Sequence, residues 1–111
     1  MSVPDVALAR IRRFCDDRTP PNFRDQMRLD VTARGNSVTI VDCSRLGPGA
    51  PDEWIRMRIA QLRYDASYEQ WTLYWADSNG RWHRYDDLEP TSRLDDLINE
   101  IDQDPTCIFF G

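Results

Sequence analysis

One imidazole is available for chemistry in this chain. His83 is the only histidine, and it lies in the segment WTLYWADSNGRWHRYDDL (residues 71–88), three residues before Asp86 and four before Asp87. An imidazole near carboxylates has the makings of a general base, but the work also needs a nucleophile and donors for the developing oxyanion. Neither is signalled. Ser67 and Ser78 fall in turn segments, and there is no G-x-S-x-G nucleophile elbow. Strand alternation instead puts His83 beside Trp75 across a hairpin, where an imidazole stacks and donates one hydrogen bond. A small enzyme using His83 with Asp86 or Asp87 is therefore the last of three functional readings.

Other candidate chemistry thins out in the same way. The pairs Asp86-Asp87 and Asp95-Asp96 and the spaced Asp102 and Asp104 could be imagined around magnesium. Adjacent residues on a helix point about 100° apart, which suits a solvated acidic helix start better than chelation. Cys15, Cys43 and Cys107 are widely spaced, form no CxxC motif and read as small buried hydrophobes. GPGAP (residues 47–51) lacks the GK[ST] of a phosphate loop. No catalytic residue, cofactor or metal is expected.

Arginine and aromatic residues make the stronger constellation. All fourteen basic residues are arginine, and residues 71–88 hold three of the four tryptophans and two of the four tyrosines. A GC-rich genome would favour arginine codons; the physical consequence is a supply of guanidinium groups that stack on rings and grip carboxylates or phosphates as a fork. Strand alternation gathers Arg28, Arg34, Arg56, Arg58, Arg63, Tyr74, Trp82 and Arg84 on one sheet face, with Thr32 among them. Such a face has three uses. It can hold itself together by cation–π pairs, worth about 0.5–1 kcal/mol each at exposed sites. It can form a protein interface, where Trp, Tyr and Arg dominate the energetics. It can also stack the bases of a single strand.

Charge bears on the choice. The formal net charge is −5, with eleven Arg against eight acids in residues 1–63 and three Arg against eleven acids in residues 64–111. Strong non-specific nucleic-acid binding wants a basic footprint, and Asp30, Asp42 and Asp86 are expected on or near the same face.

The elements that must position these residues follow from periodicity. Ser2-Val3-Pro4-Asp5 reads as a helix start with a serine cap. Ala7, Leu8, Ile11, Phe14 and Cys15 keep helical spacing until Thr19-Pro20-Pro21. Met27, Leu29, Val31 and Ala33 alternate with polar residues as a first strand, and Gly35-Asn36 turns into a second, SVTIVDCS. Residues 46–52, LGPGAPD, form the long loop. In the third strand Ile55, Met57 and Ile59 share a face until Ala60, Leu62 and Tyr64 take it over, the one-residue phase change of a β-bulge. That bulge keeps Arg56, Arg58, Gln61 and Arg63 together on the opposite side.

Asp77-Ser78-Asn79-Gly80 suits a type I turn with a glycine bulge. The hairpin then puts Trp71, Leu73, Trp75, His83 and Tyr85 on the core face. A two-residue Asn79-Gly80 turn would exchange the partners. Pro90-Thr91-Ser92 opens a last helix with Leu94, Leu97, Ile98 and Ile101 inward. The order α-β-β-β-β-β-α predicts a single α+β domain over residues 1–111, a five-stranded antiparallel meander with both helices on one face.

The segments RIRRFCDDRTPP, WTLYWADSNGRWHRYDDL and EIDQDPTCIFFG together resemble the bacterial family known as domain of unknown function 3024, over essentially the whole chain. The tail departs from the family pattern at Cys107, where glycine is usual, and at Phe110, where tryptophan is usual. The resemblance supports the boundaries and implies no chemistry.

No apolar run reaches the roughly 18 residues of a membrane helix, and Met1–Arg13 has no signal-peptide core. The sequence thus reads as a reduced cytoplasmic binding module that contacts a protein partner or a second copy through its Arg/aromatic face. Single-stranded nucleic-acid binding through that face is the runner-up.

Overall fold

The computed structural model describes residues 3–23, 25–45 and 54–110. Its elements are α1 (Asp5–Arg18), β1 (Met27–Arg34), β2 (Ser37–Arg45), β3 (Trp54–Asp65), β4 (Gln70–Ala76), β5 (Trp82–Arg84) and α2 (Leu94–Gln103), with one 3-10 turn at Pro21–Phe23. The strands form one antiparallel sheet in the order β1-β2-β3-β4-β5. This is the expected α+β meander.

Both helices cover the same face. Ile11, Phe14 and Cys15 of α1 and Leu97, Ile98 and Ile101 of α2 pack on Val38, Ile40, Ala60, Leu62, Trp71 and Leu73 of the sheet. Arg10 Nε meets Asp95 at 3.0 Å and Arg18 Nη1 meets Asp102 at 2.6 Å. Successive rungs in the same chain direction mean that the helices run parallel. The sheet outreaches them: β3 has 12 residues, about 40 Å of strand, whereas helices of 14 and 10 residues span about 21 and 15 Å. Met27, Ile55 and Met57, on the helix side by register, therefore remain exposed.

The β-bulge stands where the phase change put it. Ile40 pairs with Ala60 while Val41 pairs with Arg58, so Ile59 is the extra residue, and its side chain is buried. Gly35, at φ +60, opens the two-residue β1–β2 turn, a conformation that costs glycine no Cβ clash. In the β4–β5 turn the Gly80 amide donates to the Asp77 carbonyl at 2.9 Å, and Gly80 has φ +79. Trp75 pairs with His83 and Tyr74 with Arg84, the register of the longer turn.

Several expectations are corrected. Trp75 is half-buried and His83 exposed, because the helices stop short of that end of the hairpin. Thr91 opens no helix; its backbone bridges Trp71 in both directions (2.7 and 3.0 Å), and α2 starts three residues later, at Leu94. Asp42 lies on the helix side, pairing with Leu29 and Met57, and burial pushes its carboxyl pKa up. Cys15 and Cys43 are buried but Cys107 is exposed. The Ser2 cap and the loop at residues 46–52 lie outside the described residues.

Asp104 gives the DPT tail its mechanical role. It ends α2 in the left-handed region, and its carboxylate accepts from the Phe109 amide at 3.0 Å and the Phe110 amide at 2.8 Å. Phe109 is thereby held in the core beside Tyr85, with ring centroids 5.2 Å apart. Arg18 lies over the Phe110 ring at 3.9 Å.

Cys107 has φ +59, where a Cβ costs roughly 1–2 kcal/mol. Glycine relieves that strain and gives back part of it through a freer unfolded chain. Cys107→Gly is therefore expected to stabilise the protein by about 1 kcal/mol in urea melts. A destabilised variant would show that the thiol packs usefully despite its exposure.

Candidate functional site

The strand register builds the outer face row by row. Across β1 to β5 one row reads Thr32, Thr39, Gln61, Tyr74, Arg84. The row beside it reads Arg34, Ser37, Arg63, Thr72, and on the other side Asp30, Val41 and Arg58 lead toward Trp82. The antiparallel alternation and the bulge at Ile59 thus bring all eight candidates, Arg28, Arg34, Arg56, Arg58, Arg63, Tyr74, Trp82 and Arg84, to one side of the sheet.

Most of these arginines are engaged within the protein. Arg28 Nε and Arg56 Nη1 both approach the Asp30 carboxylate, at 3.1 and 3.3 Å. Cys43 sits beneath them, its thiol donating to Asp30 at 3.3 Å. Burial, and next that hydrogen bond, push the Cys43 pKa up, so the thiol is not poised as a nucleophile. Arg63 lies 3.8 Å over the Tyr74 ring and donates from Nε to Gln61 at 2.7 Å. Arg84 reaches Glu89 at 3.3 Å. Arg58 donates to the Gly80 carbonyl at 2.9 Å, with its guanidinium 6.0 Å from the centre of the Trp82 ring.

Between these pairs lies a shallow hollow of about 380 Å³, lined by Thr32, Arg34, Ser37, Thr39, Arg58, Gln61 and Trp82. Every hydrogen-bonding side chain around it can donate, and no carboxylate lines it. Gln61 Nε2 donates to Thr39 Oγ1 at 3.0 Å, which leaves the Thr39 hydroxyl proton free to donate in turn. Arg34 makes no ion pair among the described residues. The sequence pattern placed the arginines, Thr32, Gln61 and Trp82 on this face; it missed Ser37 and Thr39. The signal was present, since Thr39 stands between the inward residues Val38 and Ile40.

His83 finds a different carboxylate from the two nearest in sequence. Its Nε2 lies 2.7 Å from Asp77 Oδ2, and its ring stacks on Trp75 with centroids 4.7 Å apart at 28°. Asp77 Oδ1 meanwhile accepts from the Asn79 and Arg81 amides at 2.9 and 3.0 Å. One side chain thus ties the turn to the returning strand. Among the described residues no group of three or more His, Cys, Asp or Glu is placed to hold a metal ion.

The hydrogen bond from His83, followed by that from the Arg81 amide, holds the Asp77 carboxyl below its ordinary range. A pKa depressed by folding stabilises at pH values above the unfolded pKa, about 4, and that contribution is lost as pH falls through the lower folded value. His83→Leu removes the leading cause, so the Asp77 midpoint in a carbon-detected NMR titration should rise toward that of a free aspartate. An unchanged midpoint would mean that the turn amides alone set it.

The family model described as "Domain of unknown function (DUF3024)" matches residues 2–111. No curated protein and no solved structure matches the chain. No helix among the described residues is long and apolar enough to cross a membrane. The match spans the helices, the meander and the Asp104-anchored tail alike, and the chain belongs to the DUF3024 family.

Proposed function

We propose that this protein is a small cytoplasmic binding module that docks a protein partner, or a second copy of itself, on the outer sheet face. The observation that carries this reading is the donor-lined hollow between Arg34 and the Arg58–Trp82 pair. Trp82 supplies a rigid ring there at low entropic cost, Tyr74 adds another on the same face, and arginine supplies directional charge, as in interface hot spots. Charge complementarity favours an acidic protein surface as the occupant. The chain's net charge of −5 opposes an extended polyanion such as a nucleic-acid backbone more than a partner that presents a few local carboxylates.

The test is tagged-protein capture from a lysate of the source cells, with and without nuclease, alongside light scattering on the purified protein. A protein partner or a homodimer that survives nuclease and is weakened at least tenfold by Trp82→Ala supports this function, since hot-spot truncation costs about 2 kcal/mol or more. Capture abolished by nuclease replaces it with single-stranded nucleic-acid binding. A strictly monomeric protein whose contacts ignore Trp82→Ala overturns it.

A further inference from the structure

We propose that the hollow at Thr32, Arg34, Thr39 and Arg58 is a carboxylate-binding site that receives an Asp or Glu side chain of an acidic peptide segment. This deepens the reading of the outer face as a docking surface and rests on it.

The polarity of the lining carries the argument. Most arginines on this face already have an acceptor: Arg28 and Arg56 share Asp30, Arg84 has Glu89, Arg58 has the Gly80 carbonyl and Arg63 has Gln61. Arg34, at the rim of the hollow, has none among the described residues. A guanidinium offers five N–H donors, so Arg58 keeps several beyond the one given to Gly80. The hydrogen-bond chain from Arg63 Nε to Gln61 Oε1, and from Gln61 Nε2 to Thr39 Oγ1, runs toward the hollow. It occupies one lone pair of the Thr39 hydroxyl and leaves the hydroxyl proton available to a ligand. The Thr32 and Ser37 hydroxyls lie beside it, in register with Thr39 and Arg34.

The hydroxyls of Thr32, Ser37 and Thr39 can donate or accept, but the guanidinium groups of Arg34 and Arg58 only donate. The group that satisfies them is therefore an acceptor, and two guanidinium groups favour one that is ionised. A carboxylate fits this with four lone-pair sites and a single charge. Trp82 forms the apolar wall on which the stem of a Glu or Asp can lie.

The probe is a fluorescein-labelled hexaglutamate peptide, followed by fluorescence anisotropy at low salt, with hexaglutamine and a six-nucleotide oligothymidylate as comparators. Hexaglutamate should bind and hexaglutamine should not. Arg34→Gln should weaken binding about tenfold, the order expected for one lost charge-assisted hydrogen bond, and Thr39→Val by a smaller factor. Arg12→Gln, which removes the same charge from the exposed face of α1, should leave it within twofold. Amide shifts on titration should centre on Thr32, Arg34, Ser37 and Thr39.

Absence of hexaglutamate binding, equal loss in Arg12→Gln and Arg34→Gln, or tighter binding of the oligothymidylate each overturns the carboxylate site. The docking face is judged separately. A captured partner lost on Trp82→Ala yet retained by Arg34→Gln refutes the hollow and keeps the face; a partner indifferent to both refutes the face.

Discussion

Trp71→Ala is expected to lower the unfolding free energy by about 3–5 kcal/mol, the cost of emptying a large core site, while Trp75→Ala lowers it by less than about 2 kcal/mol. Four residues apart on β4, these tryptophans point to the same side of the sheet but meet different surroundings. Trp71 is 3% exposed, packs on Tyr64 with ring centroids 4.9 Å apart, and has its backbone locked to Thr91. Trp75 is half-buried and stacks on an exposed imidazole. Sequence alternation alone makes both equally core and would assign Trp75 the larger figure too. For a domain of this size, a loss of 3–5 kcal/mol is a large share of a total of about 5–15 kcal/mol. Urea melts of the two variants check it. Equal losses would mean that α2 covers the sheet further toward the turn than its packing indicates.

Asp104→Ala should cost about 2–3 kcal/mol, the next largest effect, because one carboxylate accepts two backbone amides from the tail and hydrogen bonds to charged groups are worth about 1.5–3 kcal/mol. Alanine also tolerates the left-handed backbone less well than aspartate. Asp104→Asn keeps one acceptor oxygen and suits that conformation, so its loss should be nearer 1 kcal/mol. Hydrogen exchange sharpens the test: the Phe109 and Phe110 amides should lose protection in Asp104→Ala while those of β2 and β3 keep theirs. Uniform loss across the sheet would show that the tail is part of the cooperative core. The neighbouring contacts are strong enough for that to be a real alternative. Tyr85 donates to Glu100 at 2.6 Å, and burial, then that bond, push its pKa up to about 12.

Local periodicity was sufficient for much of this protein. The spacing of Ile11, Phe14 and Cys15 and of Leu97, Ile98 and Ile101 identified each helix's buried stripe, because a 3.6-residue period aligns those positions whatever lies opposite. The phase change at Ile59–Ala60 located the bulge, since only an inserted residue lets Arg56, Arg58, Gln61 and Arg63 share a face. Asp77 and Gly80 at their spacing suggested the longer turn, but a two-residue Asn79-Gly80 turn stayed open in sequence, and the pairing of Trp75 with His83 was decided by the folded hairpin.

What tertiary structure decided was coverage and partnership. How far the helices reach along the sheet separates Trp71 from Trp75, leaves Met57 exposed, and puts Asp42 in an environment that its own strand pattern does not reveal. The carboxylate that takes His83 is Asp77, because antiparallel pairing across the turn sets which residues face each other, and Asp86 and Asp87 lie beyond the end of the short β5. The hollow at Arg34 is likewise a product of three strands in register. Thr32, Thr39 and Gln61 are ordinary polar positions in sequence; they become a row of donors only when the sheet places them side by side.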